Sequence, residues 1–501
     1  MPVLNTTFCL RNLLTWSALA LTVICALTPS ARADRLVTST EIQNGGTLTI
    51  VPGFGLGALV VSGDPENSAA LTMTNGAVSN YANKLTSVVV GNLNGEAGSL
   101  LIEDASVVST VGAPFYPIGT YGSVSVYHGG SYIGLNTGST GQATVTGAGS
   151  QWNTAQVLTV GFSGSGTLEV SSGGSVSSNS YIIGRQDGST GSITVTGAGS
   201  SMTGGDLGYF DVGSRGDGTL NIRNGGTVRN AIATVGDQGG TGTVSVTGTG
   251  SQWINTRDLY LGGDNSVADE TASGSVTVGN GGLVQVSGTT LVHEGGEIIL
   301  NSDGTLETES LTADGPGDVE FNGGELRLTG GTLNLNGDVA IISGSTLSGV
   351  GTVEGNVKNV EGTVGPGQSP GVLAITGDFT QSEPGILDIG IAGLLAGAEY
   401  DVLDVSGTVT LDGVIRVSLD GYAPVWGDSF QILEFGSLVD NGFSFDLSSA
   451  LLDDGLSWNT DEFFSSGTLA VVPEPSPASL LAGTLLAGTL LSLLARRSRR
   501  A

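Results

Sequence analysis

A repeat of about fifty residues constrains the fold of this chain more than any other feature. The segment Thr140–Trp152 (TGQATVTGAGSQW) returns as Thr190–Met202 (TGSITVTGAGSSM) and again as Thr241–Trp253 (TGTVSVTGTGSQW), at offsets of 50 and 51 residues. Between these copies lies a second unit, Gly166–Val176 (GTLEVSSGGSV), with partners at Gly218–Val228 (GTLNIRNGGTV) and Gly274–Val284 (GSVTVGNGGLV). The full repeat is therefore two coils of about 25 residues, and a hydrophobic-Gly step marks nearly every coil: Val160-Gly161, Ile183-Gly184, Val212-Gly213, Val235-Gly236 and Leu261-Gly262.

Within a coil, Leu220 and Ile222 alternate with Asn221 and Arg223, and Val244 and Val246 with Ser245 and Thr247. A period of two puts one face inside and the other in water. A coil of this size cannot bury its apolar face alone, whereas stacked coils share a continuous interior. The pattern predicts an all-β fold, a parallel β-helix or solenoid. A dozen rungs spaced about 4.8 Å apart would make a rod roughly 60 Å long. A β-propeller also repeats at this length, but the two half-units resemble each other, which favours stacked coils. Trp152, Met202 and Trp253 share one repeat position and are expected to be coil-packing residues rather than a sugar-stacking platform.

Irregular coils extend the pattern upstream at 46–50, 70–74 and 98–102, and downstream at 322–328, 331–335 and 344–353. Then come Gly362–Thr376 (GTVGPGQSPGVLAIT) and Glu399–Gly413 (EYDVLDVSGTVTLDG). This stretch resembles the end of autotransporter passenger domains, which implies a right-handed β-helix presented at the cell surface. The resemblance stops short of the secretion route, because the sixty or so residues between Gly413 and the tail are too few for an outer-membrane barrel. From 377 to 472 the clean repeat fades and aromatic residues rise, among them Phe379, Tyr400, Tyr422, Trp426, Phe430, Phe443, Trp458 and Phe463. Open solenoid ends need covering, so this region is expected to hold the last coils and a β-rich cap.

The two ends carry address labels. Arg11 precedes an apolar stretch from Leu13 to Leu27, and Ala31-Arg32-Ala33 supplies a small-residue cleavage site before Asp34. That is the pattern of a secretory signal peptide, residues 1–33, with Ala31 and Ala33 at the cut. Both cysteines, Cys9 and Cys25, fall inside it, so the exported chain is expected to contain neither disulfides nor thiolate metal sites. At the other end stand Pro473-Glu474-Pro475, an uncharged apolar run from Ala478 to Ala495, and Arg496, Arg497, Arg499 and Arg500. Eighteen residues at about 1.5 Å each reach about 27 Å, enough to cross a bilayer core as one helix, with the arginines kept in the cytoplasm. This order of parts resembles the PEP-CTERM sorting signal, residues 473–501. The resemblance implies a membrane-bound exosortase-type processing enzyme as partner and delivery to the cell surface, often in cells that make exopolysaccharide.

Charge narrows the remaining classes. The chain has 46 acidic and 16 basic residues. Setting aside Arg11, Arg32, the four tail arginines and Glu474 leaves 45 acids against 10 bases between the two end segments. Nucleic acid needs a basic footprint, so it is excluded as a partner. Neither a nucleophile elbow nor a zinc-protease helix, phosphate loop or Cys/His cluster occurs. His128 and His293 are far apart and expected to be solvated. Polysaccharide-cleaving β-helices place carboxylates on outer faces, and Asp206, Asp211 and Asp217, or Asp264, Asp269 and Glu270, are the candidates for such a role; a calcium site is the weaker alternative, since their spacing fits no calcium loop. Thr-x-Thr pairs such as Thr144/Thr146 and Thr194/Thr196 raise ice binding, but Asn221 and Arg223 interrupt the array.

The sequence therefore predicts a signal peptide at 1–33, a β-helical region at 34–376 with its clearest repeats at 140–288, C-terminal coils and a cap at 377–472, and a sorting tail with a transmembrane helix at 478–495. The expected function is that of a non-enzymatic surface protein without cofactor or metal, adhesive or part of an exopolysaccharide matrix, exported by the general secretion machinery. The alternatives are a polysaccharide lyase or hydrolase and, third, an ice-binding solenoid.

Overall fold

The computed structural model describes residues 130–265, 271–367 and 370–474 continuously, and upstream of these a series of strand segments beginning at Arg35. The chain forms two compact units. One runs to Asn179 and includes Gly199–Met202; the other comprises Ser180–Ala198 and the chain from Thr203 onward.

Each unit is built of parallel coils with three walls. In the first, the strands Ser39–Ile42, Ala69–Met73, Ala97–Ile102, Thr140–Thr146 and Ser165–Ser171 pair in succession, all parallel. The long strand Gln151–Val160 turns a corner, pairing with Val107–Ser109 through its first residues and with Ser131–Ile133 through its last. Gly141 faces Gly166, Ala143 faces Leu168 and Val145 faces Val170, so the two half-repeats lie side by side in the register their similarity predicts.

The second unit repeats this arrangement. One wall stacks Thr190–Thr196, Asp217–Arg223, Thr241–Thr247, Ser273–Gly279, Gly296–Asn301 and Val319–Asn322. Down it run two apolar columns, Ile193-Leu220-Val244-Val276 and Val195-Ile222-Val246-Val278, all fully buried. Each such side chain contributes about 1.5–3 kcal/mol on leaving water. The small glycine turns follow from local chemistry: Asn224 and Gly225 both take positive φ (54° and 85°), as do Asn280 and Gly281 (53° and 81°), a conformation that Asn tolerates and Gly adopts freely.

The hydrophobic-Gly step also has a structural reason. Gly213 sits at φ +74°, and a Cβ there would run into the carbonyl oxygen of Thr241. Reciprocally, a Cβ on Gly242, the second residue of the next strand, would strike the carbonyl of Val212. Two backbones meet at this corner with no room for a side chain, which is why Thr-Gly and Val-Gly recur together in the sequence.

The coils continue where the clean repeat fades. Ile386–Ile391 pairs in parallel with Val414–Leu419, which pairs in turn with Ser444–Ser449. Antiparallel pairing then takes over in a three-stranded sheet whose central strand, Thr468–Pro473, lies between Ser429–Gln431 and Leu456–Asn459. Phe430 is packed edge-on by Tyr400 and Tyr422 and lies against Trp458, closing this end with aromatic bulk.

Candidate functional site

The outer face of the second unit holds an open polar groove of about 560 Å³, lined by Glu307, Glu325, Arg327, Ser348, Asp388, Asp401 and Asp420 among others. Its residues come from successive rungs at outward positions. Glu307, Arg327 and Ser348 follow one another in register, with Gln285 one rung before them outside the groove, and Asp388 is followed by Arg416 and Asp446 beyond its edge. Side-chain bonds run along that column. Gln285 donates to Glu307 at 2.8 Å, and Arg327 donates to both oxygens of Glu325 (3.1 and 2.9 Å) and to Glu307 at 3.4 Å. Ser348 donates its hydroxyl to Glu325 at 2.6 Å. Arg416 grips Asp388 with two parallel bonds of 2.9 and 2.8 Å, the fork geometry that Arg favours.

Asp401 is different in kind. It is 4% exposed, and its carboxylate accepts the backbone N–H groups of Gly371 (2.8 Å) and Gly390 (2.7 Å). Burial pushes its carboxyl up to about 6 against the opposing pull of those two N–H groups, with the charges of Asp388 and Asp420 adding to the rise. The acid ties the segment after Pro370 to the strand Ile386–Ile391 through Gly371 and Gly390, and lies against Gly367 of the Gly-Pro-Gly step. The groove is thus a ladder of acids, three of them held by Arg327 or Arg416, with the buried carboxyl of Asp401 among them, able to offer oxygen acceptors and hydroxyls to a polar ligand.

Of the sequence candidates for carbohydrate chemistry, Asp206, Asp211 and Asp217 are not brought into one cluster. Asp206 is exposed in a loop, Asp217 is exposed at the start of the strand Asp217–Arg223, and Asp211 points outward from Tyr209–Val212 on another wall. Asp211 is crowded, and its carboxyl rises to about 7 through burial first and the Asp237 charge second, with Arg185 pulling the other way. Asp264 is exposed, while Asp269 and Glu270 lie outside the described residues. Among the described residues no group of three or more His, Cys, Asp or Glu could hold a metal ion. His293 departs from the expectation of a solvated ring. Its side chain is 12% exposed, its Nε2 lies 2.9 Å from the Asp264 carbonyl, and its Nδ1 lies 3.9 Å from Asp314. His128 lies outside the described residues.

The shared repeat position behaves as packing: Trp152, Met202 and Trp253 are all fully buried. The threonine columns are broken as the pattern suggests, with Thr144 beside Glu169, Thr194 beside Asn221 and Thr196 beside Arg223.

Of the sorting motif, Pro473 and Glu474 are described and exposed. Pro473 ends the central strand of the cap opposite Leu456, and Glu474 donates its N–H to the Gly455 carbonyl at 2.8 Å. Pro475, Arg496, Arg497, Arg499 and Arg500, the apolar run 478–495, and Ala31 and Ala33 lie outside the described residues. Among the described residues no helix is long and apolar enough to cross a membrane.

Sequence reasoning missed the groove acids. Their signal was a charged residue between two apolar ones, as in Leu326-Arg327-Leu328, Leu387-Asp388-Ile389 and Ile415-Arg416-Val417, or between a leucine and a buried threonine in Leu306-Glu307-Thr308, which is visible only once coils of unequal length are aligned.

No family model and no curated protein matches the sequence. Among solved structures, the TibC-catalysed, hyper-glycosylated fragment of TibA aligns with 73% of this chain and 96% of its own, at 17% identity and a TM-score of 0.30. An overlay that loose adds nothing to the coil geometry given by the strand ladder itself.

Proposed function

We propose that this β-helical chain is a non-enzymatic protein exported through the general secretion machinery and displayed at the cell surface, where it serves adhesion or the exopolysaccharide matrix. In this reading the tail is handled by an exosortase-type enzyme and anchors the chain by the run 478–495 until sorting, and nucleic acid is no partner. The observation that supports it most is the state of the groove acids. Glu307, Glu325 and Asp388 are each engaged by Arg327 or Arg416, so they present a hydrated polar surface rather than a free acid and base. The test is removal of the segment from Pro475 onward, which spares the cap strand ending at Pro473. Release of the truncated chain to the medium is expected; retention on the cells would overturn the anchor.

The second reading, a polysaccharide lyase or hydrolase, draws on the raised carboxyls of Asp401 and Asp211, since groups titrating near neutrality suit proton transfer. Residues 34–474 incubated with acidic and neutral polysaccharides decide between the two. New reducing ends or unsaturated products would establish the enzyme, and unchanged polymers are expected.

A further inference from the structure

Large apolar side chains are exposed on both loops that bracket the exit of the chain toward its tail. On one side are Val425 (58% exposed) and Trp426 (72%), on the other Leu451 (79%). The pairing of the cap sheet places them. Phe430 faces Leu469 and Ser429 faces Ala470; Val471 then donates to the Asp428 carbonyl at 2.9 Å and Gly427 to the Val471 carbonyl at 3.1 Å. Asp428 donates its own N–H to the Val425 carbonyl at 3.0 Å, so Val425 and Trp426 lie on the tight turn that enters this edge of the sheet, next to the residues bonded to Val471. On the opposite edge Leu456 faces Pro473, Glu474 donates to Gly455, and the loop 450–455 carries Leu451. The loops themselves are held in place: Tyr422 donates to Asp428 at 2.7 Å, Asp428 also accepts the Val425 N–H at 2.8 Å, and Trp458 donates to the Ala450 carbonyl at 2.7 Å.

Only Pro475, Ser476 and Pro477 separate Glu474 from the apolar run that begins at Ala478. Four residue steps span at most about 14 Å, and the polar zone of one leaflet is itself about 5–8 Å deep. A cap tethered that closely to a membrane-inserted segment has its exit face at the lipid boundary. Trp is the side chain most at home there, with an apolar body and a polar N–H. The acids Asp453, Asp454 and Glu474 on the same edge disfavour an anionic surface, so a zwitterionic one fits.

We infer that Val425, Trp426 and Leu451 form a lipid-contacting face that seats the cap on the outer surface of the membrane its tail enters. This rests on the anchor reading given above, and one experiment separates the two. The chain, carried through to Ala501, is reconstituted into phosphatidylcholine vesicles and tested first for flotation with them. The emission lost on Trp426→Phe is then taken as the Trp426 signal; Trp152 and Trp253 are buried and stay in the background. The expected result is loss of that signal with a quencher on the upper acyl chain and its protection from aqueous acrylamide. Val425→Ser combined with Leu451→Ser should keep flotation and weaken the lipid quenching. If the chain floats but acrylamide reaches Trp426 and the lipid quencher does not, the face points to water and the inference fails while the anchor stands. If neither quencher reaches it, another part of the chain covers Trp426 and the inference fails likewise. If the chain does not float, the anchor reading fails and takes the lipid face with it.

Discussion

Asn230 and Asn255 occupy an inward corner of two successive rungs, where an apolar residue would be the default. Asn230 is 2% exposed; it donates to Asn255 at 2.7 Å and accepts the Trp253 indole N–H at 2.9 Å. Trp152, at the equivalent position two repeats earlier, has no hydrogen-bond partner for its indole N–H. The same packing residue therefore sits in two different polar environments, and its indole N–H is paired in only one of them. Asn230→Ala removes two bonds and leaves the Trp253 N–H stranded in the interior. A loss of about 2–3 kcal/mol is expected, measured as a fall in the denaturant midpoint followed by tryptophan emission. A change within about 0.5 kcal/mol would mean that water or a shifted side chain replaces the amide.

At the scale of the coil, glycine does two separable jobs, and the second unit offers a pair that isolates them. Gly188 has φ +73° with nothing within 4 Å of a Cβ, while Gly213 has nearly the same φ (+74°) with the Thr241 carbonyl in the way. Gly188→Ala should cost about 1–2 kcal/mol, the left-handed penalty alone. Gly213→Ala should cost clearly more, because two rungs must separate at the corner. Urea unfolding of the two variants checks this; equal losses would show that the corner yields without effort. The strand pairing itself was legible from the repeat. Aligning Thr190-Gly191 with the unit at Gly218 predicts the observed neighbours Gly191–Gly218, Ile193–Leu220 and Val195–Ile222. The later coils were less legible because their corners differ in length, so Glu307 meets Arg327 after 20 residues and Asp388 meets Arg416 after 28.

For the molecule as a whole, proton binding follows from a net formal charge of −30 and from Asp401. Its carboxyl titrates near 6 in the fold against an ordinary value of 3.8. The folded state therefore holds this proton more tightly than the unfolded chain does. The stabilisation is fully present below about 4 and is lost as pH rises through 6, by up to about 1.4 kcal/mol for each pH unit of the shift. Relief of self-repulsion on acidification acts in the same direction. The melting temperature is thus expected to rise as pH falls from 7.5 to 5. Asp401→Asn cannot accept both the Gly371 and Gly390 N–H groups, so it should be less stable at pH 5, and its dependence on pH between 4 and 6 should be flatter. A variant that kept the parent's slope would assign the effect to other acids.

The sequence alone determined the all-β class, the parallel stacking and the inward columns. A period of two is a local property, and a fifty-residue repeat copies it from rung to rung. It also carries the two end segments whose composition bespeaks export, readings that remain proposals. Tertiary structure decided which outward side chains meet. In a parallel ladder every partner lies a full coil away, and the number of residues in that coil depends on corners that no periodicity records. The Arg327 and Arg416 pairs, the burial of Asp401 beside Gly367, and the pairing of Pro473 with Leu456 all arise in this way. Each joins residues from separate turns or strands, brought together because the backbone ladder permits one register and the side chains then take the neighbours it supplies.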